Sequence, residues 1–218
     1  AVNDAPVASG SATLSAVNED STPSGSLVSD LFSSNFSDST DTVSGGSSAN
    51  TLAGIAITSY TRDATKGEWQ YSTNGSSWTT ISSSISAASS SLTFKSTDYL
   101  RFLPAANWNG SAPTLTVALI DSSTTVTTNA TVDVSTRGGT TAYSSSTVTL
   151  SNTVNAVNDA PVASGSATLT AIDEDTTNPS GATVSSLFSS NFSDSTDTVS
   201  GGSSANTLAG IAITSYTR

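Results

Sequence analysis

Three observations predict an all-β fold built from tandem repeats. The first is repetition: AVNDAPVASGSATL at Ala1–Leu14 returns at Ala156–Leu169, and Leu31–Arg62 is identical to Leu187–Arg218. The period of about 155 residues lies far above the roughly 20 to 50 of solenoid repeats, so each copy is long enough to bury a core of its own. The second is composition: 35% of residues are hydrophobic, only 11% are charged, and Ser and Thr dominate. Such a chain is either disordered or a β protein with solvated strand faces, and its three Trp, six Phe and five Tyr favour the latter. The third is alternation of apolar and polar residues in short runs divided by turn residues, the mark of a β-sandwich. The expected organisation is one complete repeat at 1–155, with a linker at 1–8 and the sandwich at 9–155. Residues 156–218 are then a linker plus the N-terminal part of a second copy. That copy stops at Arg218 where the first continues into Asp63, which reads as an excerpt of a longer array.

Along the chain, Val2–Val7 is an extended linker, since the residue before Pro6 is held out of the helical region. Ser11–Val17 alternates and is the first strand, closed by Asn18-Glu19-Asp20. Gly25–Phe36 places Val28, Leu31, Phe32 and Phe36 at helical spacing, but its Ser-rich filling suits a helix poorly. A strand with a helical turn near Leu31 is the expectation. Asp38-Ser39-Thr40-Asp41 and the Gly-Gly-Ser-Ser run at Gly45–Ser48 are loops, and Leu52–Thr58 is a buried strand. Gly67–Ser82 carries Asn74-Gly75 between alternating aromatic runs, a hairpin signal that asks for positive φ at both turn residues. Leu92–Phe94, Tyr99–Leu103, Pro113–Ile120 and Ser146–Val154 complete the strand set, with a weak alternation at Thr124–Val134 and a turn at Asn107–Gly110. The first and last strands are expected to enter and leave at opposite ends, so that copies stack end to end.

Charge and residue types narrow the chemistry. There is no Cys, so disulfides and thiolate metal sites are excluded, and no His, which removes the usual ligand of zinc, copper and haem. Hard cations that take oxygen ligands remain. A net charge of -11, from 17 acidic and 6 basic residues, argues against nucleic acid or an anionic membrane as partner. No apolar run is long enough to span a bilayer. The acid pairs Glu19-Asp20 and Glu174-Asp175 sit at strand ends without an apolar pocket to raise either pKa, and no Ser or Thr stands beside a recognisable base, so no enzyme is expected.

The order of motifs carries a resemblance. V-N-D-A-P-V, N-E-D at Asn18–Asp20, F-S-D-S-T-D at Phe36–Asp41, G-I-A-I, W-Q-Y-S-T-N-G-S-S-W, L-R-F-L-P-A-A-N-W-N-G, V-A-L-I-D, G-G-T-T-A-Y-S-S and V-N-D-A-P-V again resemble the bacterial cadherin-like repeats of giant surface adhesins. The resemblance implies tandem Ig/cadherin-like β-sandwiches outside the cell, at the bacterial surface, with Ca2+ rigidifying the junctions. It implies Glu19 of the first copy acting with Asn158, Asp159, Asp194 and Asp197 of the second, and Glu174 serving the next junction. Asn3, Asp4, Asp38, Asp41 and Asp121 would form half of the junction with a preceding copy. Ala156 stands where the family has a leading Asp, an Asn is missing after Asp159, Pro104-Ala105 replace an acidic pair, and the loop reads Asp-Ser-Thr-Asp. Fewer ligands imply a single calcium per junction.

The expected role is therefore a stalk that extends a distal binding region, its partners being neighbouring repeats and other copies of itself, with no nucleic acid and no membrane insertion. One alternative is an adhesive module, homophilic or carbohydrate-binding, that uses Trp69, Tyr71 and Trp78 on the hairpin face; cross-strand aromatic pairs are more often packing. Another is a fibre subunit whose second sandwich is completed by a neighbouring chain. The N-x-S/T triplets at Asn35, Asn74, Asn109, Asn129 and Asn191 are what a Ser/Thr-rich chain produces by chance.

Overall fold

The computed structural model describes residues 2–217, which are mostly strand and loop with two short α-helices among them, Val28–Phe32 and Val184–Phe188. The chain divides into two units, the first ending at Asn155 and the second beginning at Ala156. No helix among the described residues is long and apolar enough to cross a membrane.

The first unit is organised around Leu52–Tyr60, a strand that contains the expected Leu52–Thr58 and runs two residues beyond it. It pairs antiparallel with Leu115–Asp121 on one side and Ser91–Lys95 on the other, at the centre of a six-stranded sheet. A four-stranded sheet is formed by Ser26–Leu27, Tyr99–Pro104, Gly67–Ser72 and Thr79–Thr80. The period-2 alternation of strands puts Ile55, Ile57, Leu115, Val117 and Leu119 in one cluster with Trp69, Leu100 and Phe102 of the second sheet. Ala56 and Ile120 point the other way, into a second cluster with Val126, Val134 and Ala142. The excursion 122–147 thus covers the outer face of the sheet, and the central strand is buried on both sides. Of the weakly alternating Thr124–Val134 only Ala130–Val132 becomes strand, because this segment serves as cover rather than ladder.

Gly54 shows how tight that centre is. A Cβ there would fall on the Phe94 carbonyl oxygen, inside van der Waals contact.

Two expectations need correction. Ser11–Val17 is two strands, Ser11–Thr13 and Val17–Asn18, as Ser146–Val154 is Val148–Ser151 and Thr153–Asn155. Both breaks have one cause: the buried Asn152 side chain donates to the Leu14 and Ser15 carbonyls at 3.1 and 2.8 Å, replacing ladder bonds. Within Gly25–Phe36 the expected strand with a helical turn is found, Ser26–Leu27 leading into Val28–Phe32, where Val28 and Phe32, one turn apart, are both fully buried. The Asn74-Gly75 turn is not a two-residue hairpin, for the register pairs Tyr71 with Thr79 and leaves a longer loop. Only Gly75 has positive φ; the Asn74 side chain accepts from the Ser76 and Ser77 amides at 2.9 and 2.8 Å and builds the turn itself.

The first and last strands of the unit run parallel, Ser11–Thr13 beside Val148–Ser151 and Val17–Asn18 beside Thr153–Asn155. The chain therefore enters at one end, near Asn3, and leaves at the other, at Asn155.

In the second unit Val162–Ala163 pairs with Phe192–Ser193 and the helix Val184–Phe188 recurs. Leu208–Tyr216, identical in sequence to Leu52–Tyr60, forms no strand there. The difference is the absence of strand partners on either side, which shows how far context decides a β segment.

Candidate functional site

At the leading end of the first unit the linker meets two loops. Pro6 and the 7–8 strand, paired with Phe36–Ser37, bring Asn3 and Asp4 over the Asp38–Asp41 turn and the end of Leu115–Asp121. The Asp4 amide donates to Asp41 Oδ1 at 2.8 Å, and Asn3 Nδ2 donates to Asp121 Oδ2 at 3.3 Å and to the Thr141 carbonyl at 3.2 Å. Of the residues named from the sequence, Asn3, Asp4, Asp38, Asp41 and Asp121 are thus brought together.

The residue that sequence reasoning missed is Asn50. Its backbone amide donates to Asp38 Oδ2 at 2.7 Å, and its Nδ2 donates to Asn3 Oδ1 and Asp41 Oδ2 at 2.8 and 2.9 Å. One side chain thereby closes linker and loop into a clasp.

Asp38, Asp41 and Asp121 are all buried, at 5, 8 and 0% exposure. Neither of the two ion pairs formed among the described residues, Arg62–Glu68 and Lys66–Asp63, reaches them. Burial, and then the neighbouring Asp41 and Asp121 charges, push the Asp38 carboxyl up from its ordinary value of 3.8, against the lowering effect of the Asn50 amide. Asp38 Oδ1 is buried with no hydrogen-bond partner. As the side chains stand, no group of three acidic residues among those described is close enough to hold a metal ion.

The second unit repeats the clasp. Asp159 donates its amide to Asp197 Oδ1 at 2.8 Å, and Asn206 donates its amide to Asp194 Oδ2 at 2.7 Å. Asn206 Nδ2 bonds Asn158 Oδ1 and Asp197 Oδ2 at 2.7 and 3.1 Å, and Asp194 Oδ1 is again buried and unpartnered. Asn158, Asp159, Asp194 and Asp197 are therefore assembled as their counterparts are, with no residue corresponding to Asp121 needed. The clasp is a local product of linker and loop.

Glu19 lies elsewhere in the first unit. Its amide bonds the Asn155 carbonyl at 3.0 Å, and its buried carboxylate accepts from Asn109 Nδ2 at 3.1 Å. Beside it Asp20, in the left-handed region at φ 58°, accepts the Asn107 amide at 2.9 Å. These contacts fasten the trailing end. Glu174, the counterpart of Glu19, is exposed.

The aromatic hairpin does not present one face. Trp69 is fully buried, donates Nε1 to the Pro113 carbonyl at 2.6 Å and packs edge-on against Phe102, which corrects its assignment to a sugar platform. Tyr71 packs against Phe94. Trp78 lies under the Arg101 guanidinium, 4.1 Å from the ring centroid. That cation is itself buried, its pKa lowered by burial, and is satisfied by Gln70 Oε1 and the Pro23 carbonyl, each at 2.8 Å.

No family model, curated protein or solved structure matches the chain.

Proposed function

We propose that this chain is a segment of a tandem array of cadherin-like β-sandwich repeats, forming the stalk of an extracellular surface adhesin, and that the leading end of each repeat binds calcium. The observation that carries the reading is the clasp made twice, each time with a buried carboxylate oxygen, Asp38 Oδ1 or Asp194 Oδ1, that no protein donor reaches. Carboxylates and amide carbonyls form an oxygen-only donor set, the set a hard divalent cation takes.

Asp38, Asp41 and Asp121, with the side-chain carbonyls of Asn3 and Asn50, would hold the ion in the first unit. Asp194, Asp197, Asn158 and Asn206 would hold it in the second. When bound, the ion supplies positive charge among acids that otherwise repel one another. Asn50 and Asn206, whose Nδ2 groups donate to the acids, would instead turn their side-chain carbonyl oxygens toward the ion. Because Asn3-Asp4 and Asn158-Asp159 lead directly into the first strand of their units, fixing them fixes the direction in which the chain enters a repeat. Parallel terminal strands suit an extender, and near-identical copies suit a role in which reach grows with copy number.

Thermal melting and calorimetric titration of the whole chain, in calcium and in chelator, test this. The expected result is a binding heat and a calcium-dependent rise in Tm, both reduced in an Asp38→Asn, Asp194→Asn variant. Absence of a binding heat in the unsubstituted chain would refute the calcium site and leave the clasp as a hydrogen-bonded cap.

A further inference from the structure

Asn-Gly occurs twice in the chain, at Asn74-Gly75 and Asn109-Gly110, each followed by Ser, and the fold treats the two pairs differently. Asn74 is exposed, and its side-chain carbonyl accepts from three donors: the Ser76 and Ser77 amides at 2.9 and 2.8 Å and the Ser72 hydroxyl at 3.0 Å. The Gly75 amide donates to that same Ser72 Oγ at 2.9 Å. Ser72 is 2% exposed and also accepts the Asn74 amide at 3.2 Å, so its hydroxyl is held between the Gly75 nitrogen and the Asn74 carboxamide. Asn109 is buried instead, with Nδ2 donating to Glu19 Oε2 at 3.1 Å, and Gly110 is a strand residue paired with Val154.

Independently of the calcium reading, we propose that the Asn74-Gly75 turn is a self-modification site. The Gly75 nitrogen closes on the Asn74 carboxamide carbon, ammonia leaves, and water opens the resulting succinimide to an aspartyl or isoaspartyl residue. The bond formed is Gly75 N to Asn74 Cγ, and the bond broken is Cγ to Nδ2. With no Cβ, glycine offers the least hindered backbone nitrogen for this attack. Its proton passes to Ser72 Oγ as the Ser72 proton passes to Asn74 Oδ1, and the Ser76 and Ser77 amides hold that oxygen in the tetrahedral adduct. Re-forming the carbonyl returns the proton to Nδ2, which departs as ammonia. Solvent water then adds at Cγ to give aspartate, or at the Asn74 backbone carbon to give isoaspartate.

The aspartyl product suits the turn. A carboxylate oxygen accepts the same three donations more strongly than an amide oxygen does, and the change adds one negative charge to a chain already at -11. At Asn109 the ladder holds Gly110 and the buried Glu19 contact holds the carboxamide, so the same dipeptide stays intact and serves as an internal control.

The test incubates the whole chain at physiological pH and temperature, folded and in guanidinium, and follows both Asn-Gly peptides by mass spectrometry with isoaspartyl detection. In the folded chain the proposal expects loss of ammonia and then gain of water at Asn74 but not at Asn109; in guanidinium the two react alike. Ser72→Ala is expected to slow Asn74 by at least about tenfold, and Ser72→Thr, which restores the hydroxyl, to recover the rate. Conversion of Asn74 no faster folded than in guanidinium overturns the proposal, as do equal rates at Asn74 and Asn109 in the folded chain. A folded Ser72→Ala variant that keeps the original rate overturns it too. If Ser72→Ala does not fold, the two comparisons on the unsubstituted chain decide.

Discussion

The Asn50 amide donates to one oxygen of Asp38 at 2.7 Å while the other oxygen is buried without a partner. The clasp is therefore held by an uncharged residue among acids, and Asn50 is its weak point. Asn50→Ala removes two side-chain donations, one of them to a carboxylate, and is expected to cost about 1.5–3 kcal/mol in urea unfolding of the first unit. Asn206→Ala, made in the second unit, should leave that transition unchanged.

The Asp38 carboxyl is raised above 3.8 in the folded state by burial first and by Asp41 and Asp121 after it. A raised carboxyl binds its proton more tightly folded than unfolded, so its contribution to stability is fully present below the unfolded value and is lost as pH rises through the folded value. In metal-free buffer Asp38→Asn should flatten the stability-versus-pH curve in that acid window. An unaltered slope would show that Asp38 does not titrate differently on folding.

Gly54 and Gly210 are the same residue in the two copies. A methyl group at Gly54 meets the Phe94 backbone, whereas at Gly210 it meets nothing within 4 Å. Gly54→Ala is expected to destabilise the first unit by about 1–3 kcal/mol, the usual range for overpacking, and Gly210→Ala to leave it unaffected, as read from paired denaturant melts.

Trp69 and Trp78 separate packing from surface contact. Trp69→Ala empties a fully buried site and should cost about 3–5 kcal/mol. Trp78→Ala loses chiefly the Arg101 stacking, about 0.5–2 kcal/mol. Equal losses in thermal melts would refute this division.

What was legible in the sequence had local causes. The composition of Leu52–Thr58 marks a strand, whereas Asn3, Asp4, Asp38 and Asp41 are named by the resemblance to cadherin-like repeats alone, and linker and loop fold the same way in both copies. Asn50 was not legible, because an amide in a Gly- and Ser-rich loop looks like any turn residue until its partners are in place. Its one signal is recurrence as Asn206 at the same distance from the Asp-Ser-Thr-Asp turn. The split of the terminal strands at Asn152 and the cover laid over Ala56 and Ile120 depend on contacts far apart in sequence, which alternation does not encode. The burial of Glu19 against Asn109, ninety positions away, is likewise not encoded in local alternation.

The parallel terminal strands also decide how the first unit meets a load. Tension applied at Asn3 and Asn155 drags Ser11–Thr13 and Val148–Ser151 past one another along their common axis, and does the same to Val17–Asn18 and Thr153–Asn155. The bonds of each pair then strain together in shear instead of opening one after another as in a peeled hairpin, with the Asn152 amide bonded across the gap between the two pairs. Rupture has to break the whole seam at once.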